Sequence, residues 1–188
     1  MVHSGWGLDQ FPDSHLNAIA HAGFDSILLF THGPGIAANG PADFSDIIRR
    51  AAAYGLDVYF YSYLDSWKHP ADPGAEEFFD RRFGELFRLH PDAKGIILVG
   101  ESCKFPSRDP KRFVNGNDQA GFFPASDYPE WLELVKKTIR RYAPGADVVF
   151  WTYNFGRAPE TERLALIEKL PRDISLEVTY EMYEYIRR

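Results

Sequence analysis

Glu76 to Glu101 reads EEFFDRRFGELFRLHPDAKGIILVGE, and its two halves carry two different periods. In the first, Phe79, Phe83, Leu86 and Phe87 recur at the three- and four-residue spacing that gathers side chains on one side of an α-helix, which predicts a helix over Glu76 to His90. In the second, Gly95 to Val99 runs without a polar residue, as a strand covered on both faces reads. The short link HPDAKG allows the strand to return directly beneath its helix.

The same unit recurs on both sides of this stretch. Ser14 to Ala22 carries Leu16, Ile19 and Ala20 on one face, closes at Gly23, and leads into DSILLF, Asp25 to Phe30. Asp43 is placed to cap a helix whose buried stripe is Ile47, Ile48 and Ala51; Gly55 ends it, and Leu56 to Leu64 follows as LDVYFYSYL. Further on, Asp127 and Pro129 open WLELVKKTIRRY, which leads through Pro144 and Gly145 into Ala146 to Phe155. Finally, Pro159 precedes ETERLALIEKL, and Pro171 precedes Asp173 to Tyr183, DISLEVTYEMY. Five consecutive helix-to-strand units imply a parallel sheet with crossover helices.

Links from helix to strand are short (YGLD, APGAD, LPRD), whereas those leaving the strands are long, as in THGPGIAANGPADF and LDSWKHPADPG. Elaborated loops therefore gather at the carboxyl ends of the strands, where both open sheets and closed barrels keep their sites. No GxGxxG or GxxxxGK turn follows the first long strand, which removes the usual reason to choose a nucleotide-binding sheet. The expected fold is α/β: a parallel (β/α) barrel of TIM type, incomplete, with about five to six β/α units in a single domain, residues 1–188. A short first strand is expected near Ser4 to Leu8, which makes Gly95 to Val99 the fourth.

The 188 residues are 45% hydrophobic and 15% aromatic, enough for one sizeable core. A net charge of −6, with no basic block, argues against nucleic acid as a partner. Cys103 is the single cysteine and cannot form an intramolecular disulfide; its expected role is that of a small buried apolar residue. The N-terminus lacks the pattern of a signal peptide and no apolar run approaches the ~18 residues that a membrane span needs, so no membrane partner and no cellular address are read from the chain.

In the last strand Ile174, Leu176, Val178 and Tyr180 form one face, and Ser175, Glu177, Thr179 and Glu181 the other. Two readings of the polar face stand: carboxylates looking into a polar cleft, or an edge strand with one wet face.

The order SGWGLDQFPDSHLNAIAHAGFDSILLF, ADFSDIIRRAAAYGLDVYFYSYL and HPDAKGIILVGES resembles the first half of a barrel-fold glycoside hydrolase, of the group that includes hexosaminidase-like and glucuronidase-like enzymes. The resemblance is a diffuse pattern over nearly the whole chain, and its sharpest element is Gly100-Glu101. It implies that Glu101, at the end of the fourth barrel strand, is a general acid/base. Substrate-assisted hexosaminidases carry Asp-Glu there, and Gly100 departs from that pattern. The nucleophile of such enzymes usually sits on the seventh strand, and this chain reaches Ile186-Arg187-Arg188 after the sixth counted here.

The chemistry of the residues agrees. A glycosidic oxygen leaves when protonated, and a carboxyl in an apolar setting holds its proton near neutral pH. A second carboxylate is required about 5 Å away for retention or about 6.5 to 9.5 Å away for inversion; Glu181, Glu177 and Asp65 are the candidates. The catalytic expectation is Glu101 with Glu181. Trp67, Trp151, Tyr63 and Tyr153 stand at or past strand ends, where aromatic faces stack on sugar rings, with barrel packing as the rival reading. His32, Asp65, Asn154 and Glu177 are polar groups at the same end, suited to sugar hydroxyls, as are Lys68 and His69, with plain solvation as the alternative. His32, Asp65 and His69 lack the fixed spacing of a metal motif, so neither metal nor cofactor is expected. The expected partner is a carbohydrate substrate; a second copy, or a missing barrel half, would close the open edge. Two alternatives to hydrolysis stand: a non-catalytic carbohydrate-binding remnant, and another barrel enzyme such as a lyase or metal-dependent isomerase.

Overall fold

The structure is a computed structural model that describes residues 2–3, 10–63, 66–99, 106–110, 126–152 and 159–178. Its elements follow the repeat: β1 (Val2–His3), α1 (Asp13–His21), β2 (Ser26–Phe30), β3 (Ile36–Ala37), β4 (Gly40–Pro41), α2 (Phe44–Ala53), β5 (Asp57–Tyr63), α3 (Ala75–Phe79), α4 (Glu85–Leu89), β6 (Gly95–Val99), α5 (Tyr128–Tyr142), β7 (Asp147–Trp151), α6 (Glu160–Ile167) and β8 (Ser175–Glu177). The main sheet has the order β1-β2-β5-β6-β7-β8, and β1–β2, β2–β5 and β7–β8 pair in parallel. Each strand therefore adds beside the previous long one, with helices as crossovers. The main sheet has six strands among the described residues where a closed barrel has eight, so the fold is an incomplete (β/α) barrel. The strand Gly95–Val99 is fourth in the order, as expected, and buried along its whole length. The first strand is Val2–His3, while the span 4–9, where it was expected, lies outside the described residues.

The chain divides into two compact units. One comprises Met1–Ser62, Asp80–Ile97 and Ile139–Asp147. Its core is aromatic: Phe60 lies 5.4 Å from Phe44 and 5.7 Å from Phe87, ring centroid to centroid, and all three are buried. Asp43 caps α2 by accepting from the Asp46 amide at 3.0 Å. Ile47 and Ala51 are buried as the stripe requires, and Ile48 is half-buried. Arg50 ties α2 to the chain entering α1: its guanidinium donates to Asp46 at 2.7 Å, to Asp13 at 3.1 Å, and to the carbonyls of Phe11 and Gln10 at 2.5 and 2.9 Å. Arg50, and secondarily Arg49, hold the Asp46 carboxyl below the usual carboxylate range. Gly95 has a packing reason: a Cβ there would overlap the backbone carbonyl of Asp147.

The other unit comprises Tyr63–Phe79, Leu98–Thr138 and Val148–Arg188. Trp131 is fully buried, its ring 5.0 Å from Phe79 in an edge arrangement, and Tyr128 meets Phe150 at 6.0 Å.

Two expectations change. The helix over Glu76 to His90 is three pieces, α3, a π-helical turn at Asp80–Gly84, and α4. The wider turn accompanies a close approach at Gly84, where a Cβ would meet Asp80 Oδ1 at 2.5 Å and the Tyr142 ring at 2.9 Å, while Asp80 accepts from the Tyr142 hydroxyl at 3.1 Å. The loop after β2 contains a small antiparallel ribbon, β3 with β4, in which Gly40 (φ 120°) takes a conformation that suits glycine.

Candidate functional site

The carboxyl ends of β7 and β8 form the clearest arrangement. Because Phe150 turns toward Tyr128 of α5, alternation puts Val149 and Trp151 on the opposite face of β7. In the parallel register Val149 pairs with Ser175, Phe150 with Leu176, and Trp151 with Glu177. Partners in a parallel ladder share a face, so Trp151 and Glu177 stand side by side away from the helix α5. The pair is fixed by backbone: the Thr152 amide and hydroxyl both donate to the Glu177 carbonyl, at 3.0 and 3.2 Å. The Glu177 carboxyl makes no hydrogen bond or ion pair to any other described residue, and burial pushes its pKa upward. A half-buried carboxyl beside an indole can hold a proton, accept from hydroxyls, or receive a ring stacked on the tryptophan.

The two readings of the last strand meet here. β8 lies at the end of the sheet order. Both of its sides meet water: Ser175, Leu176 and Val178 are exposed, and Ile174 and Glu177 are half-buried. The edge position agrees with the edge-strand reading, while Thr179, Tyr180 and Glu181 lie outside the described residues.

A second cluster surrounds Trp67, which is 73% exposed. Ser66, buried beneath it, accepts from the Lys68 amide at 3.0 Å and donates to the Lys68 carbonyl at 2.8 Å, which makes a tight serine turn. The Lys68 ammonium donates to the Pro73 carbonyl at 2.8 Å. His69 is buried, which corrects the expectation of a solvated or hydroxyl-binding group. Its Nδ1 accepts from the Ala71 amide at 3.0 Å, so Nε2 carries the proton and donates to Asp127 Oδ2 at 3.2 Å. Asp127, also buried, accepts in addition from Ser107 Oγ at 2.8 Å and from the Arg108 amide at 2.7 Å. Asp72 accepts from the His69 amide at 2.8 Å and from Arg108 at 2.7 Å, and these two donors, in that order, hold its carboxyl below the usual range. The Ser107 hydroxyl donates to the carboxylate rather than to His69, so the trio is not a nucleophile-and-base relay. This network was not legible in the sequence. Asp127 ahead of Tyr128 and Pro129 reads as a helix start, and nothing in Ser107-Arg108 marks a partner nineteen to twenty positions further on.

Of the remaining candidates, His32 is exposed, its ring edge-on to Phe30 at 4.7 Å, and its amide donates to Ile36 at 2.9 Å. Tyr63 is half-buried at the end of β5. Glu101, Glu181, Asp65, Tyr153, Asn154 and Cys103 lie outside the described residues. Among the described residues no group of three His, Cys, Asp or Glu side chains is gathered to hold a metal ion, and no helix is long and apolar enough to cross a membrane.

No family model and no curated protein matches the sequence. Solved structures do resemble it. A sugar phosphate isomerase/epimerase from Parabacteroides distasonis is similar over 100% of this chain and 67% of its own, with TM-score 0.61 at 12% identity. A glycoside hydrolase family 5 enzyme from Prevotella bryantii is similar over 93% of this chain and 55% of its own, with TM-score 0.56 at 15% identity. A mutant O-GlcNAc hydrolase from Thermobaculum terrenum is similar over 93% of this chain and 39% of its own, with TM-score 0.62 at 12% identity. At these identities the likeness establishes the fold, a TIM-type barrel of which this chain spans part, and the relatives' chemistries differ.

Proposed function

We propose that this chain is the carbohydrate-binding and acid-bearing part of a glycoside hydrolase barrel, with Glu101 as general acid/base. The observation that carries the reading is the pairing of Trp151 with Glu177 on one face at the carboxyl ends of adjacent parallel strands, a stacking surface beside a carboxyl whose pKa is raised. The fold supplies the context, since barrel enzymes keep their sites at this end of the strands, and the fourth strand leads in sequence to Glu101. In the reaction proposed, the Glu101 carboxyl gives its proton to the glycosidic oxygen as the bond to the anomeric carbon breaks. A second carboxylate, assigned to Glu181, takes the opposite side of the ring. Trp151 and Trp67 stack on sugar faces, and Glu177, His32, Tyr63, Asp65, Tyr153 and Asn154 hold hydroxyls.

The test is turnover of a panel of aryl glycosides and uronides by the purified chain beside Glu101→Gln. Activity that vanishes in the variant, with its fold intact, supports the assignment; activity that survives it removes Glu101 from the chemistry. Sugar binding without turnover would instead favour the non-catalytic carbohydrate-binding reading. A second enzymatic reading, a metal-dependent sugar isomerase or epimerase, is favoured by the likeness that extends over 100% of this chain. It predicts that added divalent metal raises both the melting temperature and the interconversion of a ketose phosphate, with no release of aryl leaving groups.

A further inference from the structure

The cluster under Trp67 contains a buried carboxylate that the proposed chemistry does not use. Asp127 begins the segment entering α5, and its side chain bonds to residues far from that helix in sequence. It accepts from Nε2 of His69, from Ser107 Oγ, and from the amide of Arg108, at 3.2, 2.8 and 2.7 Å. These donors sit on two separate stretches of chain, one following β5 and the other following β6. Arg108 then reaches back to Asp72, at 2.7 Å, so the stretches are joined twice. Asp109 closes the set: its amide donates to Ser107 Oγ at 3.1 Å, and its carboxylate accepts from the Ser126 amide at 2.7 Å.

The turn that carries Trp67 includes His69, one of the donors to this carboxylate. Ser66, just before it, and His69, two positions after it, are 1% and 3% exposed, while Trp67 is 73% exposed. An exposed indole ordinarily moves through several rotamers and a mobile loop, and ordering it on a ligand costs affinity. Here the backbone beneath it is fixed before any ligand arrives, by the Ser66 turn on one side and by His69 on the other.

We propose that Asp127 is a positioning residue for Trp67, holding the indole through His69 as a preformed stacking platform for a sugar ring. This rests on the carbohydrate reading. Asp127 touches no ligand; it fixes the turn that presents the platform, and binds that turn to the segment following the fourth strand.

Asp127→Asn lacks the charge and has one acceptor oxygen where the carboxylate has two: Oδ2 takes His69, Arg108 and Ser107, and Oδ1 takes Ser107 alone, so an NH2 group at either place faces a donor. Ser107→Ala loosens the same carboxylate without altering it. Both are compared with Trp67→Ala and with the double variant Asp127→Asn/Trp67→Ala, by calorimetric binding of mannotetraose and chitotetraose and by hydrogen exchange of peptides covering 66–72 and 106–110. Asp127→Asn is expected to weaken binding on the order of tenfold, with Ser107→Ala changing it in the same direction by less. In the Trp67→Ala background the Asp127→Asn loss is expected to disappear, because a residue acting only through the indole has nothing left to position. Exchange in the free protein is expected to quicken in both peptides for Asp127→Asn and in neither for Trp67→Ala.

A loss of affinity that is undiminished in the double variant, or quickened exchange with unchanged affinity, overturns the proposal and leaves Asp127 a stabilising residue only. Should the wild type bind neither oligosaccharide while the two peptides exchange faster together, the carbohydrate reading fails and the link from Asp127 to the Trp67 turn stands. Unchanged exchange in 66–72 overturns that link whatever binds.

Discussion

Trp151 and Glu177, the last residues of β7 and β8, are register partners on one face of the parallel sheet. Burial raises the Glu177 pKa above its ordinary 4.5. The folded chain therefore favours the protonated carboxyl, so the group's contribution to stability is present at pH below that ordinary value and is lost as pH rises through the folded-state value. Glu177→Gln is expected to raise the melting temperature at neutral pH relative to wild type, and to bring no such gain in acid. Melting curves of the two proteins across that range check it; a gain of equal size at both ends would mean that the charge is not the cause.

Gly95 lies against the strand beside it so closely that a methyl group meets backbone. A Cβ would overlap the Asp147 carbonyl oxygen and stand 2.9 Å from its carbonyl carbon, and neither can swing aside as a side-chain tip does. Gly95→Ala is expected to cost about 1–3 kcal/mol, as overpacked sites do. At Gly145 nothing lies within 4 Å of an added Cβ. Gly145→Ala should leave the urea midpoint nearly unchanged, and equal midpoints for the two variants would contradict the contact.

Trp131 is fully buried with its ring against Phe79. Trp131→Ala is expected to lose about 3–5 kcal/mol in chemical denaturation, and Trp131→Phe clearly less, since it keeps an aromatic ring at the contact. A loss under ~1 kcal/mol for the alanine variant would show that the site collapses or rehydrates without cost.

Tyr59 donates to Asp147 at 3.3 Å, and burial, then the Asp147 carboxylate, push its phenol pKa from 10.0 up to about 12. The neutral phenol is thus favoured by folding; that contribution is whole below pH 10.0 and is lost as pH climbs toward about 12. Tyr59→Phe is expected to flatten the alkaline limb of stability against pH over that window. An unchanged limb would assign the alkaline loss to other groups.

Much of the architecture was legible because it rests on local periodicity. The Phe79, Phe83, Leu86 and Phe87 spacing, the apolar run to Val99 and the Asp43 cap each mark an element from within a few residues, and the order of those elements dictates sequential parallel strands. The π turn at Asp80–Gly84 was not legible, because it accompanies contacts with Tyr142 and Arg141, some sixty positions away. The burial of His69 and the side-chain partners of Asp127, which does open α5 as read, were not legible for the same reason: each has an ordinary local role, one in a polar loop and the other before a helix, and only the fold brings them together.

By itself, then, the sequence determined the α/β class, the run of helix-to-strand units, and the end of the sheet at which long loops and aromatic residues collect, all of which follow from side-chain period and loop length. Only the tertiary structure decided that Trp151 stands beside Glu177, that the last strand lies at the end of the sheet order, and that a carboxylate entering α5 accepts from His69 in the turn after Trp67. Those facts depend on register and on hydrogen bonds between residues far apart in the chain, and a hydrogen bond specifies distance and direction in space while leaving no period in the sequence.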